Sequence, residues 1–68
     1  MQYTILIQYD NIDCIYIASI PELQGCIAHG STPEEALREV SDVYEMWIEE
    51  ARLLGKDIPA PALYAHAV

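Results

Sequence analysis

The 68-residue chain has no phenylalanine, and only three basic side chains, Arg38, Arg52 and Lys56, stand against 11 acidic ones. Phosphate backbones are held by clustered Lys and Arg, whose engagement releases counterions. Three scattered cations argue against direct nucleic-acid binding. The net charge of −8 suits solubility or a basic protein partner. Cysteine is equally scarce: Cys14 and Cys26 form no CxxC pair, so one disulfide at most can form and no disulfide framework staples the fold. No apolar run approaches the roughly 18 residues of a membrane span. The start, Met1-Gln2-Tyr3-Thr4, lacks the basic stretch of a secretory leader. A cytoplasmic, soluble protein is expected.

Groups that carry chemistry are also few. Nucleophilic catalysis needs a nucleophile, a base within hydrogen-bond reach and an orienting group. The only imidazoles are His29 and His66, and Cys26 and His29, three apart on one strand, would point to opposite faces. A zinc site takes about four ligands, usually in close pairs, and no such spacing exists here. Gly25 and Gly30 do not make a phosphate-cradling loop, which needs clustered glycines before a helix. Asp10 and Asp13 belong to a turn, where their ordinary work is to bond the backbone. The expectation is a protein without enzymatic activity, metal or cofactor.

What is abundant is apolar surface, 53% of residues, in two periodicities. Residues 3–9 alternate, with Tyr3, Ile5, Ile7 and Tyr9 on one side and Thr4, Leu6 and Gln8 on the other. Period two with β-branched and aromatic residues predicts a strand. Asp10-Asn11-Ile12-Asp13 supplies turn chemistry, and residues 14–20 form a second strand joined to the first by a hairpin. In it either Ile15 and Ile17 or Tyr16 and Ala18 face the core. Pro21 cannot donate to a sheet ladder, so the strand stops, Leu23-Gln24-Gly25 reverses the chain, and 26–29 make a short third strand.

A helix follows over about 33–54. Thr32 is placed as its N-cap, Pro33 at the first helical position, and Glu35 closes a capping box. Ala36, Leu37, Val40, Val43, Tyr44, Trp47, Ile48, Ala51 and Leu54 recur at three- and four-residue spacing as one apolar stripe. Gly55 sits at the left-handed C′ position. Residues 56–68 form an extended tail, in which 62–68 suit either a short edge strand or an unstructured end. The whole is one domain, 1–68, of α+β class: a three-stranded antiparallel meander plus one long helix in two layers.

Two surfaces remain over. Opposite the stripe lie Glu35, Arg38, Asp42, Glu45 and Glu49, with Glu39 and Glu50 on the flank. Unpaired like charges on one helix face repel by a few tenths of a kcal/mol each, so this face is either a solvated surface or a docking surface for a basic partner. The second surface is the sheet face that one helix cannot cover. Together with Met46 and Leu53, which fall outside the stripe, it predicts a homodimer or higher homo-oligomer.

The segment 16–37 carries a resemblance. Tyr16, Ala18, Pro21, Glu22, Leu23, Gly25, Cys26, Gly30, Thr32, Glu34, Glu35, Ala36 and Leu37 match the pattern Y-x-A-x-x-P-E-L-P-G-C-x-x-x-G-x-T-x-E-E-A-L of the HicB-like antitoxins. Counting the helix and the Ile58-Pro59-Ala60-Pro61 exit, the likeness covers about residues 3–61. It implies an incomplete RNase H-like fold and a protein that neutralises a small basic HicA-type RNA-cleaving toxin. Glu35, Glu39, Asp42, Glu45 and Glu49 are then the candidate contacts. Two features depart from the pattern. Gln24 stands where the family commonly has Pro, which should loosen the turn, and no DNA-binding domain follows the core as in many members. The alternative is an orphan HicB-like structural module with no toxin partner.

Overall fold

The structure, a computed structural model, describes residues 3–60. Strand β1 spans Leu6–Asp10, β2 Ile15–Ser19 and β3 Ile27–Gly30, followed by helix α1, Pro33–Leu54. The sheet order is β1-β2-β3, with both pairings antiparallel. This is the expected meander-plus-helix α+β architecture. The question of a strand at 62–68 lies outside the described residues.

The helix begins and ends where its sequence signals stand. Thr32 is extended (φ −131°) and its side chain accepts the Glu35 N–H at 3.0 Å. The Glu35 carboxylate returns past the cap and accepts the Ser31 N–H at 2.6 Å, one residue further out than a capping box requires. At the other end Gly55 takes φ 67°. Its N–H and that of Lys56 close onto the Arg52 and Ala51 carbonyls at 3.2 and 2.8 Å, the paired bonds of a Schellman ending.

β1 and β2 are shorter than alternation predicts because their ends bond elsewhere, and β3 keeps its expected four residues one position further on. Thr4 N–H donates to the Glu22 carboxylate at 3.1 Å rather than to a strand. Ile20 N–H donates to the Cys26 carbonyl across the β2–β3 connection. In the first hairpin the Asp10 side chain accepts from the Ile12 N–H at 2.9 Å, and Cys14 takes a left-handed φ of 55°. The chain thus turns without the glycine usually favoured there.

Register decides which side of β2 is inside. Ile7 pairs with Ala18, Tyr9 with Tyr16, Tyr16 with Gly30 and Ala18 with Ala28, and this face carries α1. The buried core is Ala18, Ile20, Leu23, Cys26, Ala36 and Val40, surrounded by Tyr3, Ile5, Tyr16, Ala28, Val43, Tyr44, Trp47 and Ile48. Small residues at the crossing let helix and sheet approach closely. A Cβ added at Gly30 would stand 2.6 Å from the Ala36 backbone nitrogen.

The helix lies over β3 and β2 and scarcely reaches β1, so Ile7 and Tyr9 remain exposed on the helix side. Two members of the expected apolar stripe are not in the core. Leu37 sits at the margin of the contact and is 41% exposed, and Leu54, in the last turn, is 59% exposed. Ile15 and Ile17 take the opposite face of the sheet, with Leu6 and Ile27.

Candidate functional site

The solvent side of α1 is built by the 100° turn per residue that also builds the core stripe. Glu39, Asp42, Glu45 and Glu49 are all exposed there. Among them stand Met46 and Leu53, seven residues apart, 62% and 80% exposed. The surface therefore has an apolar ridge inside an acidic border, the arrangement of a protein-docking patch with an apolar centre and a polar rim. Glu35 stands apart from the other four. It is half-buried and its carboxylate holds the Ser31 N–H, so its first role is to start the helix. Met46 and Leu53 belong with the candidate contacts. Their spacing in the sequence marks them as outside the core, and exposed acids share that side of the helix with them.

Beside this face, Tyr44, Glu45, Ile48, Glu49 and Arg52 line a groove of about 400 Å³. A larger cleft of about 550 Å³ opens where the β2–β3 connection, the second half of α1 and residues 56–59 meet, with Glu22, Gln24, Trp47, Glu50 and Asp57 in its walls. The Trp47 indole N–H donates to the Gln24 carbonyl at 2.9 Å, and the Tyr3 hydroxyl donates to the Pro59 carbonyl at 2.5 Å. These two bonds tie the helix to the turn and the exit segment to the start of the chain.

The residues of the sequence motif serve the fold that presents these surfaces. Pro21 to Gly25 form a compact reversal closed by Leu23 N–H to Ile20 and Cys26 N–H to Leu23, each 3.0 Å, besides the Ile20–Cys26 bond. Gly25 takes φ 83°, open to glycine at no steric cost. The Gln24 backbone carbonyl, at the outside of this turn, accepts the Trp47 indole N–H. Leu23 and Cys26 point inward and are buried, as is Ala36, while Tyr16 packs against Tyr9 in a tilted arrangement with ring centres 5.0 Å apart.

Among the described residues Cys26 and His29 do not meet. Cys26 is buried on the helix side, and desolvation pushes its thiol pKa up, away from the nucleophilic thiolate. His29 is exposed and, by register with Ile17, belongs to the opposite face. Both cysteines are free, and Cys14 is exposed. The Tyr9 phenol is held above its usual pKa, first by a hydrogen bond with Cys14 and then by loss of hydration. Among the described residues no three His, Cys, Asp or Glu side chains converge as a metal cage, and no helix is long and apolar enough to cross a membrane.

A three-stranded meander under one acidic helix, with a wide apolar and charged outer surface, defines a small α+β domain. The UPF0150-like family model matches residues 5–59, and the chain belongs to that family. A UPF0150 protein of Synechocystis sp. is 38% identical over 60 residues, covering 88% of this chain and 81% of that protein. One from Thermoplasma acidophilum is 34% identical over 59 residues, covering 87% and 84%. No solved structure matches the chain significantly.

Proposed function

We propose that this protein is a HicB-like antitoxin domain of the cytoplasm that sequesters a small basic HicA-type RNA-cleaving toxin. The observation that carries the reading is the outer face of α1. Glu39, Asp42, Glu45 and Glu49 surround the exposed Met46 and Leu53, on a chain whose net charge is −8. A cationic partner is drawn to such a face by long-range attraction, and apolar contact at Met46 and Leu53 then holds it. Inhibition follows from occlusion of the toxin's active site, so the antitoxin needs no catalytic group of its own. The meander followed by a single long helix is compatible with the incomplete RNase H-like fold that the motif implies, and the thirteen matching motif positions support the assignment.

Changing Glu39, Asp42, Glu45 and Glu49 together to lysine tests the surface. Association with the toxin, followed by stopped-flow at low salt, is expected to slow on the order of 100-fold and to lose its salt dependence, since steering of this kind contributes about 10- to 1,000-fold. Unchanged association at low salt would remove the helix face from the mechanism. A toxin neutralised equally well by both forms would do the same.

A further inference from the structure

The larger cleft, between the β2–β3 connection, the second half of α1 and residues 56–59, has an unusual lining. Glu22 comes to it from the connection, Glu50 from the helix and Asp57 from the exit segment. Three separate parts of the chain thus each bring a carboxylate to one concavity, and Lys56 is the single cation in its walls. The Glu22 carboxylate is held by the Thr4 N–H at 3.1 Å, whereas Glu50 and Asp57 are exposed. Trp47 supplies the aromatic wall. Its only N–H is already given to the Gln24 carbonyl at 2.9 Å, so what the indole offers a ligand is its ring. The volume of about 550 Å³ is ample for one long side chain.

We propose that this cleft binds an arginine side chain of a basic partner protein. Carboxylates around an indole select a cation, which the ring also attracts through its quadrupole. An anion would be repelled, and a neutral apolar group would strip water from the carboxylates without replacing the lost bonds. Among cations the guanidinium fits best. It is planar, is less strongly hydrated than an ammonium, stacks on aromatic rings and places paired N–H bonds on a carboxylate.

The cleft is continuous with the acidic face of α1. Glu50 stands three residues after Trp47, four after Met46 and three before Leu53, spacings that make neighbours on a helix surface. It therefore lies between the aromatic wall and the Met46–Leu53 ridge. A partner segment resting on that ridge can reach the cleft with a single side chain. Arginine and tryptophan seated in pockets are typical anchors of protein interfaces, so the ridge and its acids attract the partner and the cleft fixes its register. This inference rests on reading the helix face as a docking surface.

Titration of the full chain with Nα-acetylarginine amide, followed by the NMR signal of the Trp47 indole N–H, tests the cleft without any partner. Trp47 is the only tryptophan, so the one indole signal reports on this site. A saturating shift is expected, with a Kd on the order of 1 mM for so small a ligand. The citrulline counterpart, of the same shape but uncharged, should not saturate, and the lysine counterpart should bind about 5-fold more weakly. Glu50→Gln with Asp57→Asn, both exposed positions, is expected to weaken arginine binding by about 10-fold. Asp13→Asn with Glu34→Gln removes the same charge elsewhere and should leave it unchanged. No saturation with arginine, equal binding of citrulline or lysine, or equal losses in the two double variants would overturn the proposal. Failure here leaves toxin capture by the helix face intact, and failure of toxin capture leaves the indole titration unchanged, so the two readings are tested apart.

Discussion

Gly30→Ala is expected to lower stability by about 3 kcal/mol, the upper part of the usual overpacking range. The added carbon would stand 2.6 Å from the Ala36 nitrogen and 2.9 Å from the Glu35 carbonyl carbon. Both are backbone atoms in the first turn of α1, so no side chain can rotate away. The first turn must lift from β3, and Thr32, Glu35 and Ala36 move with it. A domain of this size has roughly 3 to 10 kcal/mol of total stability, so the loss lowers the melting temperature by roughly 15 °C. Gly25 is the control. Nothing stands within 4 Å of a Cβ there, but its φ of 83° is left-handed, and alanine should cost only about 1 kcal/mol. Equal losses at the two glycines, measured by thermal melting, would show that close approach of helix and sheet is not what Gly30 supplies.

Leu23→Ala is expected to cost about 3 kcal/mol, in the range for emptying a buried leucine site. Leu23 is 1% exposed although it sits in a connection rather than in a strand or helix. Its side chain belongs to the buried cluster that includes Val40 and against which Trp47 packs, and its N–H and carbonyl form two of the three bonds that close the turn. Those bonds keep the Gln24 carbonyl under the Trp47 indole. Trp47 is the chain's single tryptophan, so its fluorescence reports on the same event. A change in emission together with a lowered denaturation midpoint is expected. A destabilised variant with unchanged emission would mean that turn and helix are not coupled through Leu23.

Much of this architecture was legible in local chemistry. Thr32, Pro33 and Gly55 marked both ends of α1, and alternation marked the strands. The orientation of β2 was not legible, because its two sides compete on unequal terms. Ile15 and Ile17 are the more hydrophobic pair, yet Tyr16 and Ala18 face the helix. The reason is steric: the helix crosses where Ala18, Ala28, Gly30 and Ala36 are small, and larger residues there would hold the layers apart. The same crossing explains Leu37, whose spacing places it in the stripe but whose position lies at the contact's margin.

The surface was legible in part. Spacing alone grouped the acids of the helix and set Met46 and Leu53 outside the core. Engagement of Glu35 by Ser31 was not visible, because the capping pattern does not say which N–H the carboxylate will reach. Cys14 at a left-handed position was equally hidden, since a non-glycine residue there gives no sequence signal.

Capture of the tagged chain from its native host, at low and at high salt, tests the central claim most directly. The account predicts a small basic protein bound at low salt and released at high salt. Once freed it cleaves RNA, and it loses that activity when the purified chain is added back. Recovery of the chain alone, or of a partner whose RNA cleavage the chain does not suppress, would contradict the antitoxin reading and leave an orphan structural module.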